Sequence, residues 1–379
     1  MQSVDIDGQS FFCEAVHGAR LTVHDICRVP IHRHPIADFL ERSRGALLYD
    51  VRSPGEYAHA RMPGAVNLPL FNDEQRAQVG TAYKQVSREH AIKIGLDAFG
   101  PQMRTMVESV ERALRRQGLD NTTSICLYCW RGGMRSGAVA WLLGLYGFDV
   151  HVLEGGYKAF RNWALEQFGK EYPFRIVGGF TGAGKTELLH RLQLEGEQVI
   201  DLEGLARHKG SAFGSIGMPA QPTQEQFENL LALQLDVARS RLSAGGLRLW
   251  IEDESQRIGQ VHLPHTLWAT LQKAPISFVD IPFAQRLQHL VEEYGVLDKE
   301  RLREAIVRIT RRLGGQHAKA ALEFLDEGQF TDCFSILLHY YDKLYAKGLE
   351  QRAAREQLVH TISCADVSNN NALKLIAAT

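Results

Sequence analysis

The chain has 379 residues, 45% hydrophobic and 23% charged, with a net charge of −1. That length predicts two or three domains with ordinary globular cores, and the near-neutral charge excludes a uniformly basic nucleic-acid binder while allowing a local basic face. Six scattered cysteines form no disulfide framework and fit a reducing cytoplasm.

Residues 1–34 read as an N-terminal extension. The start, MQSVDIDGQSFF, lacks the basic segment and apolar core of a signal peptide. No apolar run approaches the roughly 20 residues of a membrane span. HDICRVPIHRHP holds His24, His32 and His34, spaced too loosely for a metal site. From GALLYDVRS onward the pattern is that of alternating strands and helices. Leu47, Leu48 and Tyr49 form a buried strand that Asp50 ends. Residues 101–117 form an amphipathic helix, 123–129 a buried strand, Ser136–Leu145 a helix and 148–156 a strand ending in a glycine turn. This alternation predicts a parallel α/β sheet over 35–165. A helix and linker (161–173, with 166–174 the interdomain stretch) lead to a second α/β unit over 175–379. Its strands are expected at FRIVGGF, 197–204, 247–255 and 275–282. From 283 onward helices dominate. KERLREAIVRITRRLGG at 299–315 is periodic with arginines on one face, and the polar tail around Asn369–Asn371 is expected to be mobile.

Two loops carry chemistry. In CLYCWRGGMRS the single CxxC lacks the second pair that a structural zinc site needs. Cys126 sits inside an apolar strand as a buried small hydrophobe rather than at a helix start, where a redox pair would lie. Cys129 stands at the strand end, before a glycine-rich loop (Gly132, Gly133) and a helix. Converging N–H groups, the helix dipole, Arg131 and Arg135 all favour its thiolate, which makes Cys129 the expected nucleophile. GFTGAGKT, Gly179–Thr186, matches G-x-x-x-x-G-K-[ST] after an apolar strand and before a helix. Thr181, Gly182, Ala183 and Gly184 present backbone to a diphosphate, Lys185 offers a point charge, and Thr186 can ligate Mg²⁺. Asp201, Glu252, Asp253 and Glu254 are candidates for the metal's water shell. ATP, GTP and an allylic diphosphate all satisfy this loop.

The cysteine loop, with YDVRSPGEYAHARMPGAVNLP before it and LEGGYKAF after it, resembles the rhodanese fold. Its five residues between Cys129 and Arg135 exceed the common sulfurtransferase spacing and resemble rhodanese-fold phosphatases. The cradle is therefore expected to suit a phosphorylated donor. With DLEGLARHKGSAFG, FENLLA and LWIEDESQRIG added, the chain closely resembles the bacterial tRNA 2-selenouridine synthase family from about residue 45 to 345.

The resemblance implies a transferase that acts on 2-thiouridine at the wobble position of tRNA. The sulfur is first geranylated with geranyl diphosphate, then exchanged for selenium from selenophosphate, so that a selenophosphate supplier is a partner. Gly179–Thr186 would hold the diphosphate and Mg²⁺, and Cys129 would carry selenium as an S-selanyl intermediate. For tRNA contact the candidates are Arg207, His208 and Lys209, and Arg311 and Arg312 in a stripe with Arg301, Arg303 and Arg308. A stripe of this kind neutralises phosphates or is simply a solvated face. A cytoplasmic monomer without membrane contact is expected. The competing readings are a P-loop kinase fused to a sulfurtransferase and a non-catalytic tRNA-binding scaffold.

Overall fold

The computed structural model describes residues 13–14, 20–21, 31–242, 248–352 and 355–378. Contacts divide the chain into two compact units, Met1–Trp163 and Ala164–Thr379. His24, and with it most of the N-terminal extension, lies outside the described residues.

In the first unit, β1 (Cys13–Glu14) and β2 (Arg20–Leu21) form an antiparallel pair. The other strands are β3 (His32–His34), β4 (Leu47–Asp50), β5 (Val66–Asn67), β6 (Ile125–Tyr128) and β7 (Val150–Leu153). They make one parallel sheet in the order β3-β7-β6-β4-β5. Every residue of β4, β6 and β7 is buried. That explains why these strands read as continuous apolar runs rather than alternating ones: helices cover both faces of a parallel sheet. The helices are α1 (Ile36–Ser43), α2 (Pro54–His59), α3 (Asp73–Gln85), α4 (Arg88–Phe99), α5 (Met103–Gln117), α6 (Met134–Leu145) and α7 (Gly156–Gln167). On α5 the buried residues Met106, Val107, Val110 and Leu114 form one stripe, and Gly118 ends the helix at φ 66°. The reciprocal Asn72–Gln75 bonds start α3.

The second unit holds β8 (Phe174–Gly179), α8 (Lys185–Leu194), β9 (Gln198–Ile200), α9 (Leu202–Ala206), α10 (Gln224–Leu242) and β10 (Leu249–Glu252). The hairpin β11 (Arg257–Ile258) and β12 (Val261–His262) follows, then α11 (His265–Leu271) and β13 (Ile276–Asp280). Next come α12 (Phe283–Tyr294), α13 (Lys299–Leu313), α14 (Gly315–Asp326), α15 (Phe330–Glu350), α16 (Arg355–Leu358), β14 (Val359–Ser363) and α17 (Asn371–Ala377). The sheet is parallel in the order β14-β13-β8-β10-β9, so β8 is central and its C-terminal end opens where the order reverses. Residues Leu302, Ala305, Ile306, Ile309 and Leu313 give α13 the apolar stripe that its period predicts.

Beyond 283 helices dominate as expected, and β14 adds an edge strand to the sheet. One expectation fails here. The tail is ordered: Asn371 is buried, its side chain donates to Asp366 O at 2.8 Å, and α17 packs on α8. Backbone bonds close the turns at the helix start, from the N–H groups of Asn371, Ala372 and Leu373 to the carbonyls of Ser368, Asn369 and Asn370.

Candidate functional site

Cys129 follows β6 directly and is 3% exposed. The loop after it is shaped from both sides. Gly132 adopts φ 65°, with its carbonyl accepting from Arg33 Nη1 at 3.0 Å. Tyr157 N–H donates to Cys129 O at 2.8 Å, and Lys158 N–H to Trp130 O. A Cβ on Gly156 would lie 2.3 Å from Cys129 O, and its φ is 60°. Only glycine serves there.

Burial works against ionising Cys129. The Ser136 hydroxyl, the N–H groups of Ser136 and Arg131, and the Arg135 charge outweigh it and hold the thiol below its ordinary value. Cys129 Sγ lies 3.2 Å from Ser136 Oγ, which also reaches Gly133 O at 3.2 Å, so this hydroxyl can turn from carbonyl to thiolate as the proton leaves. Burial pushes Cys126 the other way, up to about 12, as befits an inert strand residue.

The charges around this loop are partly neutralised. Arg135 Nη1 donates to Glu56 Oε2 at 2.8 Å. Below the loop Arg52 is buried against Asp50 and Ala60 O, with its guanidinium 3.9 Å from the Tyr157 ring centre. Tyr128 Oη donates to Asp50 and accepts from Met62 N–H. Sequence reasoning missed Ser136, Glu56 and the Asp50–Arg52 pair. The serine next to Arg135 was the available signal.

The second loop leaves β8 at Gly179. Lys185 Nζ turns back to Gly179 O at 3.2 Å, and Gly184 adopts φ 68° with Val367 packed over it. Arg286, buried beside the loop, bonds Thr181 O and Ile281 O and pairs with Asp342 through both terminal nitrogens. A cavity of about 1010 Å³ opens off Thr181–Thr186. Its lining includes the charged residues Lys185, Glu203, Glu254 and Arg312, and also Leu290, Tyr294, Tyr340, Tyr341 and Leu344.

The metal candidates separate. Thr186 Oγ1 donates to Glu203 Oε2 at 2.9 Å, a carboxylate absent from the sequence-based set. Burial and a neighbouring Glu203 push Glu254 up to about 8, and burial raises Glu203 as well. Glu252 turns away and accepts the N–H groups of Leu202 and Glu203, while Asp201 caps α9 through Gly204 N–H. Asp253 is taken by Tyr345 Oη and Arg352. Thr186, Glu203 and Glu254 are the residues that could hold Mg²⁺: two carboxylates crowded together near Lys185, beside a hydroxyl and a phosphate loop. Among the described residues no cage of three or more His, Cys, Asp or Glu side chains occurs, and Mg²⁺ needs none, since it uses one or two carboxylates plus substrate phosphates.

The basic candidates also divide. His208 is 8% exposed, and burial and Arg308 lower its pKa, so it is a neutral core group rather than a phosphate contact. Arg207 donates to Ala220 O, and Lys209 pairs with Glu293 inside the cavity. Arg303 is bound to Asp326 off the stripe. Arg301, Arg308, Arg311 and Arg312 remain exposed. In the first unit His34 and His151 share a 2.8 Å bond, and Asp149 holds His151. No helix among the described residues is long and apolar enough to cross a membrane.

A family model described as the tRNA 2-selenouridine synthase AAA domain matches residues 172–371, and a rhodanese-like domain model matches 36–162. A tRNA 2-selenouridine synthase of Bdellovibrio bacteriovorus is 34% identical over 80% of this chain and 89% of its own length. Those of Sulfurovum sp. and Salmonella typhi are each 36% identical, covering 81% and 85% of this chain and 90% and 93% of the relatives.

Proposed function

The chain belongs to the tRNA 2-selenouridine synthase family, and on that premise we propose that it converts 2-thiouridine at the tRNA wobble position to 2-selenouridine in two steps. In the first, the thiouridine sulfur attacks C1 of geranyl diphosphate in the second unit. The C1–O bond breaks, diphosphate leaves with the electron pair, and the base loses its N3 proton. The cavity carries this reading. A phosphate loop opens on a cavity whose lining includes Leu290, Tyr294, Tyr340, Tyr341 and Leu344, side chains that offer a prenyl chain apolar surface.

In this step Gly182–Thr186 hold the diphosphate through backbone N–H groups, and Lys185 neutralises charge as it leaves. Mg²⁺, held by Thr186, Glu203 and Glu254, would supply further charge neutralisation. Phe180 and Tyr345, 5.7 Å apart between ring centres, brace the loop.

The second step belongs to Cys129. Selenium of selenophosphate attacks C2, and geranylthiolate leaves with the C2–S electron pair. The Cys129 thiolate, favoured by Ser136 and the loop N–H groups, then takes the phosphoryl group as the Se–P bond breaks with its electrons on selenium. Water hydrolyses the S-phosphoryl group to phosphate and frees the thiol, so no reductant is needed. S-alkylation prepares this exchange by making sulfur a leaving group. The exposed Arg308, Arg311 and Arg312 are the proposed phosphate contacts for tRNA.

The test is mass spectrometry of a 2-thiouridine anticodon stem-loop incubated with protein, Mg²⁺ and geranyl diphosphate, with and without selenophosphate. A geranyl mass gain, then its replacement by selenium, supports both steps. ATP hydrolysis with no geranyl gain returns the loop to nucleotide chemistry.

A further inference from the structure

Arg352 lies just beyond the end of α15 and lines the same cavity as Gly182–Thr186. Its side chain is 6% exposed. Nη2 is held by Asp253 Oδ1, and the other oxygen of Asp253 accepts from Tyr345 Oη. That same Oη accepts the N–H of Gly179, the first residue of the phosphate loop, at 3.2 Å. Arg352 is thus tied to the loop through two intervening side chains. Its Nη1, however, is buried and finds no hydrogen-bond partner among the described residues.

The neighbouring Arg286 shows what a structural arginine looks like here. It is equally buried, yet its Nε and both terminal nitrogens are bonded, to Ile281 O, Thr181 O and the two oxygens of Asp342. Buried guanidinium N–H groups are ordinarily satisfied, because leaving one unmade costs its full desolvation. Arg352 lines the phosphate cavity, and an orphan nitrogen on its fixed, charged fork calls for a partner that arrives with the ligand. Planar guanidinium donors match phosphate oxygens in geometry and charge.

We propose that Arg352 is a diphosphate-binding residue of this site: Nη1 donates to an oxygen of the bound diphosphate, while Asp253 and Tyr345 hold the guanidinium in position. The acid at the end of β10 then serves to orient an arginine rather than to bind metal. The proposal rests on reading the cavity as a diphosphate site. As the C1–O bond breaks, charge grows on the leaving group, and a donor already fixed in place needs no reorganisation to meet it.

The experiment uses the full chain and calorimetric titration with inorganic pyrophosphate and, separately, geraniol. Arg352→Lys keeps a cation for Asp253 but loses the second nitrogen of the fork. It is expected to weaken pyrophosphate binding about tenfold to a hundredfold. Geraniol binding and the thermal midpoint of the ligand-free protein stay near wild type, and single-turnover geranyl transfer slows at least as much as pyrophosphate binding weakens. Wild-type pyrophosphate affinity and transfer rate in a folded Arg352→Lys protein would overturn the proposal. So would an equal loss for both ligands together with a lowered midpoint, which marks a structural role. Arg352→Gln gives the same readings should the lysine variant not fold. A wild-type protein that binds pyrophosphate but transfers no geranyl sinks the choice of alkyl donor and leaves the Arg352 comparison intact.

Discussion

The two loops share one local design and use it for opposite ends. Each follows the central part of a parallel sheet, turns through glycines at positive φ, and runs into a helix whose first N–H groups face the turn. In the first unit those groups surround a buried side chain of the loop itself, so the anion they stabilise is Cys129. In the second they face a cavity of about 1010 Å³, so the anion must come from outside. The surrounding charges follow suit. Arg135 is paired with Glu56 and Arg52 with Asp50, whereas the phosphate loop has Glu203 and Glu254 crowded together with raised pKa values. A backbone cradle therefore does not specify its chemistry; the space left inside it and the balance of neighbouring carboxylates do.

The largest effects should come from removing each loop's own reactive group. Cys129→Ser is expected to stop selenation while geranylation continues, and Lys185→Ala to slow geranylation by about a hundredfold or more. Mass spectrometry of the two tRNA products reads both. Loss of both steps in a folded Cys129→Ser protein would break the division of labour.

Gly156→Ala comes next. It places a Cβ against Cys129 O at a positive φ and should destabilise the first unit by about 3 kcal/mol, read by denaturant unfolding.

The thiol comparison is a pH experiment. Thiolate forms as pH rises through the pKa, so iodoacetamide labelling of Cys129 should rise with a midpoint below that of an ordinary thiol. Cys126 should stay unlabelled until about pH 12. Ser136→Ala removes a donor to the thiolate and should move the Cys129 midpoint upward by about one unit; an unmoved midpoint would assign the lowered pKa to the backbone alone. The smallest effect is expected at the surface. Arg308→Ala or Arg311→Ala should each make the log–log salt slope of tRNA binding shallower by about one, measured by filter binding.

Much of this was legible in local pattern. β6 and β8 are short apolar runs closed by Cys129 and by glycine, and the five buried residues of α13 recur at helical spacing. What escaped depended on partners distant in the chain. Asp253 stands where a metal carboxylate is expected, but Tyr345 and Arg352, more than ninety residues later, claim it. His208 sits in a basic tripeptide, yet tertiary packing buries it. Glu203 lies in a short acidic helix with no signal of its own, and only the fold brings it to Thr186. β14 has a mixed burial pattern, as an edge strand does, and so carries little apolar signature.

The late position of β14 has a consequence for how the protein is made. The strand that bears the phosphate loop is complete by residue 179, but β14, Val367 over Gly184, α17 against α8, and the Tyr345–Asp253–Arg352 chain all arrive between residues 345 and 377. On the ribosome the first unit can fold while the second still waits for its far edge. A chain halted before β14 would expose the side of β13 as an open, pairing-competent edge.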